Sequence, residues 1–86
     1  VSSERKLKFE AYEGAATTAF AKYLEVQNRI DKIEIRAIAK CSGNKGVAAY
    51  ELKTSSEYWM YRDLCDDRDR YMKIASLNAS MANMYK

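Results

Sequence analysis

Residues 9–37 read FEAYEGAATTAFAKYLEVQNRIDKIEIRA, and within them Phe9, Tyr12, Ala16, Ala19, Tyr23, Val26, Ile30, Ile33 and Ala37 follow at alternating steps of three and four. That spacing keeps every one of these side chains on a single face of an α-helix and describes a stripe that must be covered by another helix. Ser2 or Ser3 can cap the exposed backbone N–H groups ahead of it, with Glu4 near the positive end of the helix dipole. A first helix over about residues 3–41 is therefore expected. Its only interior breaker is Gly14, set in a patch of small residues with Ala11, Ala15, Ala16, Ala19 and Ala21.

Working outward, Ser42-Gly43-Asn44-Lys45-Gly46 is the one strong turn signal, rich in residues that tolerate positive φ. It predicts chain reversal over 42–46, followed by a short helix over 47–53. Thr54-Ser55-Ser56-Glu57 has the spacing of a capping box and predicts a new helix from about 55 to 85. On that helix Met60, Leu64, Tyr71, Ile74, Met81 and Tyr85 form an apolar stripe, interrupted by Asp67 and Asn78.

Pairing the two halves about a centre between Asn44 and Lys45 brings Ile30 level with Trp59 and Tyr12 level with Leu77. The fold class expected is all-α, a single helical domain over residues 1–86 built as an antiparallel hairpin. Phe20, Leu24, Ile35, Ile38, Tyr58, Trp59, Leu77 and Met84 lie off the paired stripes, which leaves an apolar flank that one hairpin does not cover. A dimeric four-helix bundle or a higher oligomer is the assembly this implies. A chain of 86 residues is also near the size below which one core needs outside support.

Composition narrows the function classes. There is no His, and the two cysteines, Cys41 and Cys65, are 24 apart in sequence, so neither a transition-metal site nor a nucleophile–base pair can be assembled from the usual ligands. In a simple hairpin Cys41 lies at the turn and Cys65 several turns away, too far for a disulfide. Glu10 and Glu13 form one helical carboxylate pair, but no second pair converges on it as a divalent cation would require. The expectation is a protein that is not an enzyme and holds no cofactor or metal. No apolar run approaches the length of a membrane span, and the polar start Val-Ser-Ser-Glu-Arg-Lys lacks the apolar core of a secretion signal; a cytoplasmic location without membrane contact is expected.

Charge adds two features. Lys8, Lys22, Arg29 and Arg36 form a basic stripe beside the seam of the first helix, for which hairpin pairing offers Asp66 and Asp67 to Lys22 and Asp63 to Arg29. Between residues 36 and 53 there are four cations, Arg36, Lys40, Lys45 and Lys53, against the single anion Glu51, so the whole formal charge of +3 gathers at the turn end. Tyr50, Tyr58 and Trp59 adjoin that end. Cations with nearby aromatics suit phosphate contact and base stacking, while aromatics and Met at exposed positions equally suit a protein interface. The leading expectation is a small helical inhibitor, adaptor or regulator that binds itself and a larger protein. The alternative is nucleic-acid or nucleotide-phosphate binding at the basic turn.

Overall fold

The structure is a computed structural model that describes residues 2–86, with the side chain of Ser2 outside the description. Three helices account for nearly all of it: α1 (Ser2–Lys40), α2 (Lys45–Lys53) and α3 (Tyr58–Asn83). The molecule is a thin rod of 60 × 20 × 15 Å, in which α3 returns antiparallel along α1 and α2 packs on the end of α1. Among the described residues there is no strand, and no helix is long and apolar enough to cross a membrane.

The seam of α1 is the inward face at every position. Ala19, Val26, Ile30 and Ile33 are buried, and Phe9, Tyr12, Ala16, Tyr23 and Ala37 are half-buried. Ile30 alone among large side chains is fully enclosed. Opposite it, α3 turns inward through Tyr61, Leu64, Cys65, Arg68, Tyr71, Met72, Ala75, Asn78 and Ala82, with Asp67 and Met81 also half-buried, and Tyr85 follows just beyond its end. The stripe expected on α3 therefore splits: Leu64, Tyr71 and Tyr85 lean into the hairpin, whereas Met60 and Ile74 are exposed. Small residues line the half nearest the termini, with Ala19, Ala75 and Ala82 all buried.

The register differs from the expected one by about two helical turns. Tyr61 Oη donates to Glu34 Oε1 at 2.8 Å, an Arg68 guanidinium N–H donates to Gln27 Oε1 at 3.4 Å, and Tyr12 stacks on Tyr85 with ring centroids 5.8 Å apart. Each pair is centred within α2 rather than between Asn44 and Lys45. Trp59 is consequently not level with Ile30, nor Leu77 with Tyr12, and both Trp59 and Leu77 are about two-thirds exposed. The physical reason is that the short helix, together with the two loops that flank it, forms the reversal. A chain that turns through a helix pairs about the middle of that helix.

Both loops owe their shape to caps. Gly43 N–H donates to Ile38 O at 2.9 Å and Ser42 N–H to Ala39 O at 3.3 Å, with Ser42 at φ 54° and Gly43 at φ 82°. This is a Schellman closure of α1, and Ser42 occupies the left-handed position usually given to glycine. Asn44 then caps α2, its Oδ1 accepting from Val47 N–H at 3.1 Å, so α2 begins at Lys45 and Gly46 lies inside it. The capping box expected at Thr54 does not form. Thr54 ends α2 instead, its hydroxyl donating back to Tyr50 O and Glu51 O, and the Ser55 hydroxyl does the same to Leu52 O. With both hydroxyls spent on the preceding helix, α3 starts only at Tyr58, and Glu57 gives it no side-chain cap.

At the other end, Arg5 donates to the carbonyls of Tyr85, Met84 and Lys86. It satisfies acceptors that the end of α3 leaves free, and its positive charge sits at the negative end of the dipole. Lys8 lies 5.4 Å from the Tyr85 ring centroid. The C-terminal residues are thus held against α1 by two of its cations.

Candidate interaction surface

The turn end brings together some of the expected residues and separates others. Arg36 and Lys40, one turn apart on α1, line an open groove of about 390 Å³ between α1 and α2. Glu51 and Glu57 line the same groove, so its charges are balanced within it. Lys45 lies on another side, in a smaller depression of about 200 Å³ shared with Glu34, Leu52 and Tyr61, and Lys53 ends α2 outside both. The four cations do not converge. None of them forms an ion pair among the described residues.

The aromatic residues at this end are arranged outward. Tyr50 is 68% exposed and Trp59 66%. Half-buried Tyr58 packs edge-on against Trp59, centroids 5.5 Å apart, and the Arg62 guanidinium lies 5.7 Å from the Trp59 ring centroid. Arg62 was not among the expected site residues; its spacing from Trp59, three residues on a helix, is the signal that marks it. Tyr58, Trp59 and Arg62 together make an amphipathic knob at the start of α3, of the composition that dominates protein interfaces.

Inside the hairpin, Tyr61 is held neutral. Burial raises its pKa first, and the hydrogen bond it donates to Glu34 raises it further. Arg68 is raised as well, chiefly by its bond to Asp69. These groups fix the register and are not arranged as a nucleophile with a base. Cys41 and Cys65 are both free thiols, half-buried, and among the described residues no three His, Cys, Asp or Glu side chains are grouped to hold a metal.

The basic stripe of α1 has no ion partner across the hairpin. Lys8 pairs with Glu4 and Lys22 with Glu25, both on α1, while Arg68 pairs with Asp69 and Arg70 with Asp67 on α3. The expected pairing of Lys22 with Asp66 or Asp67, and of Arg29 with Asp63, is therefore absent, because the shifted register and outward direction of these side chains keep them apart. No family model matches the chain, and no curated protein or solved structure is significantly similar to it. Function rests on the geometry alone.

Apolar surface is the dominant feature of that geometry. Among the described residues the buried hydrophobic ones are Ala19, Val26, Ile30, Ile33, Ala48, Ala75 and Ala82, of which three are larger than alanine. Leu7, Phe20, Leu24, Ile35, Val47, Tyr50, Trp59, Met60, Ile74, Leu77 and Met84 are all exposed. Among the described residues, eleven large apolar side chains are exposed and only three are buried; the rest of those on the seam are half-buried.

Proposed function

We propose that this chain is a non-enzymatic helical binding protein, an inhibitor, adaptor or regulator that works through protein–protein contacts on its helical faces and also assembles with itself. The observation that carries this reading is the set of eleven exposed large apolar side chains, of which Ile74, Leu77 and Met84 continue along one face of α3, because scattered single residues are ordinary on a surface but contiguous apolar ones mark contact sites. The knob of Tyr58, Trp59 and Arg62 is the best anchor for a second protein. The reading places the protein in the cytoplasm.

The test is capture of partners by the tagged chain from its native host, with and without nuclease. A protein partner that stays bound after nuclease and in about 0.5 M salt is expected, since apolar burial is screened little. Loss of that partner in a Trp59→Ala chain places the contact at the knob. Recovery of nucleic acid alone, or of a partner released by nuclease, overturns the reading.

The second reading is phosphate or nucleic-acid contact by Arg36, Lys40, Lys45 and Lys53, favoured by their freedom from ion pairs. The groove carboxylates Glu51 and Glu57 weigh against it. Changing Lys40, Lys45 and Lys53 together to Gln should abolish low-salt binding to RNA or DNA if this reading holds; undiminished binding removes it.

A further inference from the structure

Besides the seam that joins α1 to α3, each helix carries a second row at alternating steps of three and four. On α1 the row runs from Glu4 to Arg36, small at Ala11, Ala15 and Thr18 and charged from Lys22 through Glu25, Arg29 and Lys32 to Arg36. On α3 it runs from Met60 to Met84, charged at Asp63, Asp67 and Arg70 and apolar at Ile74, Leu77, Met81 and Met84. Ile74 and Tyr71 share a shallow depression with Gly14, Ala15 and Thr18, so both rows lie on the same side of the hairpin. Phe20 lies on the opposite side, beside Met72 and Ser76.

We propose that this side is the interface with a second copy of the chain, related to the first by a two-fold axis running along the length of the hairpin. The proposal deepens the reading of a self-assembling binding protein and rests on it. Such an axis turns α3 of one copy onto α1 of the other without sliding it, so residues level with each other within a chain are also level across the interface. The register set by Glu34–Tyr61, Gln27–Arg68 and Tyr12–Tyr85 then decides every pairing.

In the apolar half, Leu77 meets Thr18, Met81 meets Ala15 and Met84 meets Ala11: a ridge of large side chains enters a trough of small ones, twice over by symmetry, while Ile74, at the junction of the two halves, meets Lys22. In the charged half, Arg70 meets Glu25, Asp67 meets Arg29 and Asp63 meets Lys32. All three pairs are of opposite sign, and they supply the partners that Arg29 and Lys32 lack within their own chain. Each helix of the resulting four-helix bundle also lies between two antiparallel neighbours. An axis across the hairpin also leaves antiparallel neighbours but gives none of these pairings. It sets α3 on α3 and α1 on α1, ridge against ridge, and at full overlap lays the apolar end of one copy on the charged end of the other.

Area agrees with the assignment. The chain exposes 6458 Å², whereas a compact monomer of its mass exposes about 5,200 Å². The excess exceeds the roughly 800 Å² that each partner contributes to a stable dimer.

The test uses the full chain. Sedimentation equilibrium should show a dimer, and Ala15→Arg should weaken it about 30-fold or more by filling the trough with a charge, while Phe20→Arg on the opposite side leaves it unchanged. Arg29→Asp should weaken the dimer, and adding Asp67→Arg should restore it. Cross-linking fixes the axis independently of any change in folding: with Cys41 and Cys65 changed to Ser, chains carrying Thr18→Cys mixed with chains carrying Leu77→Cys should form a covalent dimer on mild oxidation that neither forms alone. A wild-type chain still monomeric at about 100 µM, a dimer indifferent to Ala15→Arg, or a mixture that does not cross-link overturns the proposal. A monomer that still captures a protein in about 0.5 M salt sinks this interface and leaves the binding reading standing.

Discussion

Ser42 takes φ 54° at the close of α1, a conformation that costs an L-residue with a Cβ roughly 1 kcal/mol relative to glycine. Ser42→Gly should therefore raise stability by about 1 kcal/mol, read as a shift in the urea midpoint with an unchanged slope. Tyr61 makes a prediction of the opposite sign. Its hydroxyl donates to Glu34 across the hairpin, and Tyr61→Phe should cost about 1 kcal/mol near neutrality. Because burial and the Glu34 bond raise the folded-state pKa, the advantage of the wild type over Tyr61→Phe is fully present below the unfolded tyrosine pKa of about 10 and shrinks as pH rises above it. Denaturation of the two proteins between pH 7 and 11 checks this, and a gap that stays constant through pH 11 contradicts it.

At the scale of the elements, the long helix was legible because nine positions obey one period, and a period sustained for eight turns leaves no competing conformation. The reversal was legible only as a place. Asn44 and Thr54 are residues that cap in either direction, and whether a hydroxyl bonds forward to a new helix or back to an old one depends on where the chain travels next. Thr54 bonds back, which delays α3, moves the centre of the hairpin into α2 and changes every cross-helix pair by about two turns. Asn44→Ala should accordingly do more than fray a cap worth about 1 kcal/mol: amide exchange should accelerate through α2 as a unit while the Glu34–Tyr61 register of α1 and α3 persists. Gly14 tests the other long element. An added Cβ there meets nothing within 4 Å, so Gly14→Ala should stabilise α1 by up to about 1 kcal/mol, measured by thermal denaturation.

For the whole molecule, the sequence made the surplus of apolar surface visible but not its location, since the side on which each leftover residue falls depends on the register. The basic tip illustrates the same limit: four cations close in sequence are divided between α1 and α2 and turned to different sides, and Glu51 and Glu57 share the groove that Arg36 and Lys40 line. The long basic stripe, in turn, loses the internal partners that an unshifted hairpin offered it. A rod with so little enclosed volume and so much apolar surface should draw its stability from association. Linkage then requires the melting temperature to rise with protein concentration. For a dimer a 100-fold increase adds about 2.7 kcal/mol per dimer, which for two chains of this size corresponds to roughly 5–10 °C. The same concentration series on Ala15→Arg should lie lower throughout and rise less steeply. A wild-type melting temperature independent of concentration means that α1 and α3 are sufficient by themselves, and that the exposed rows serve only a different protein.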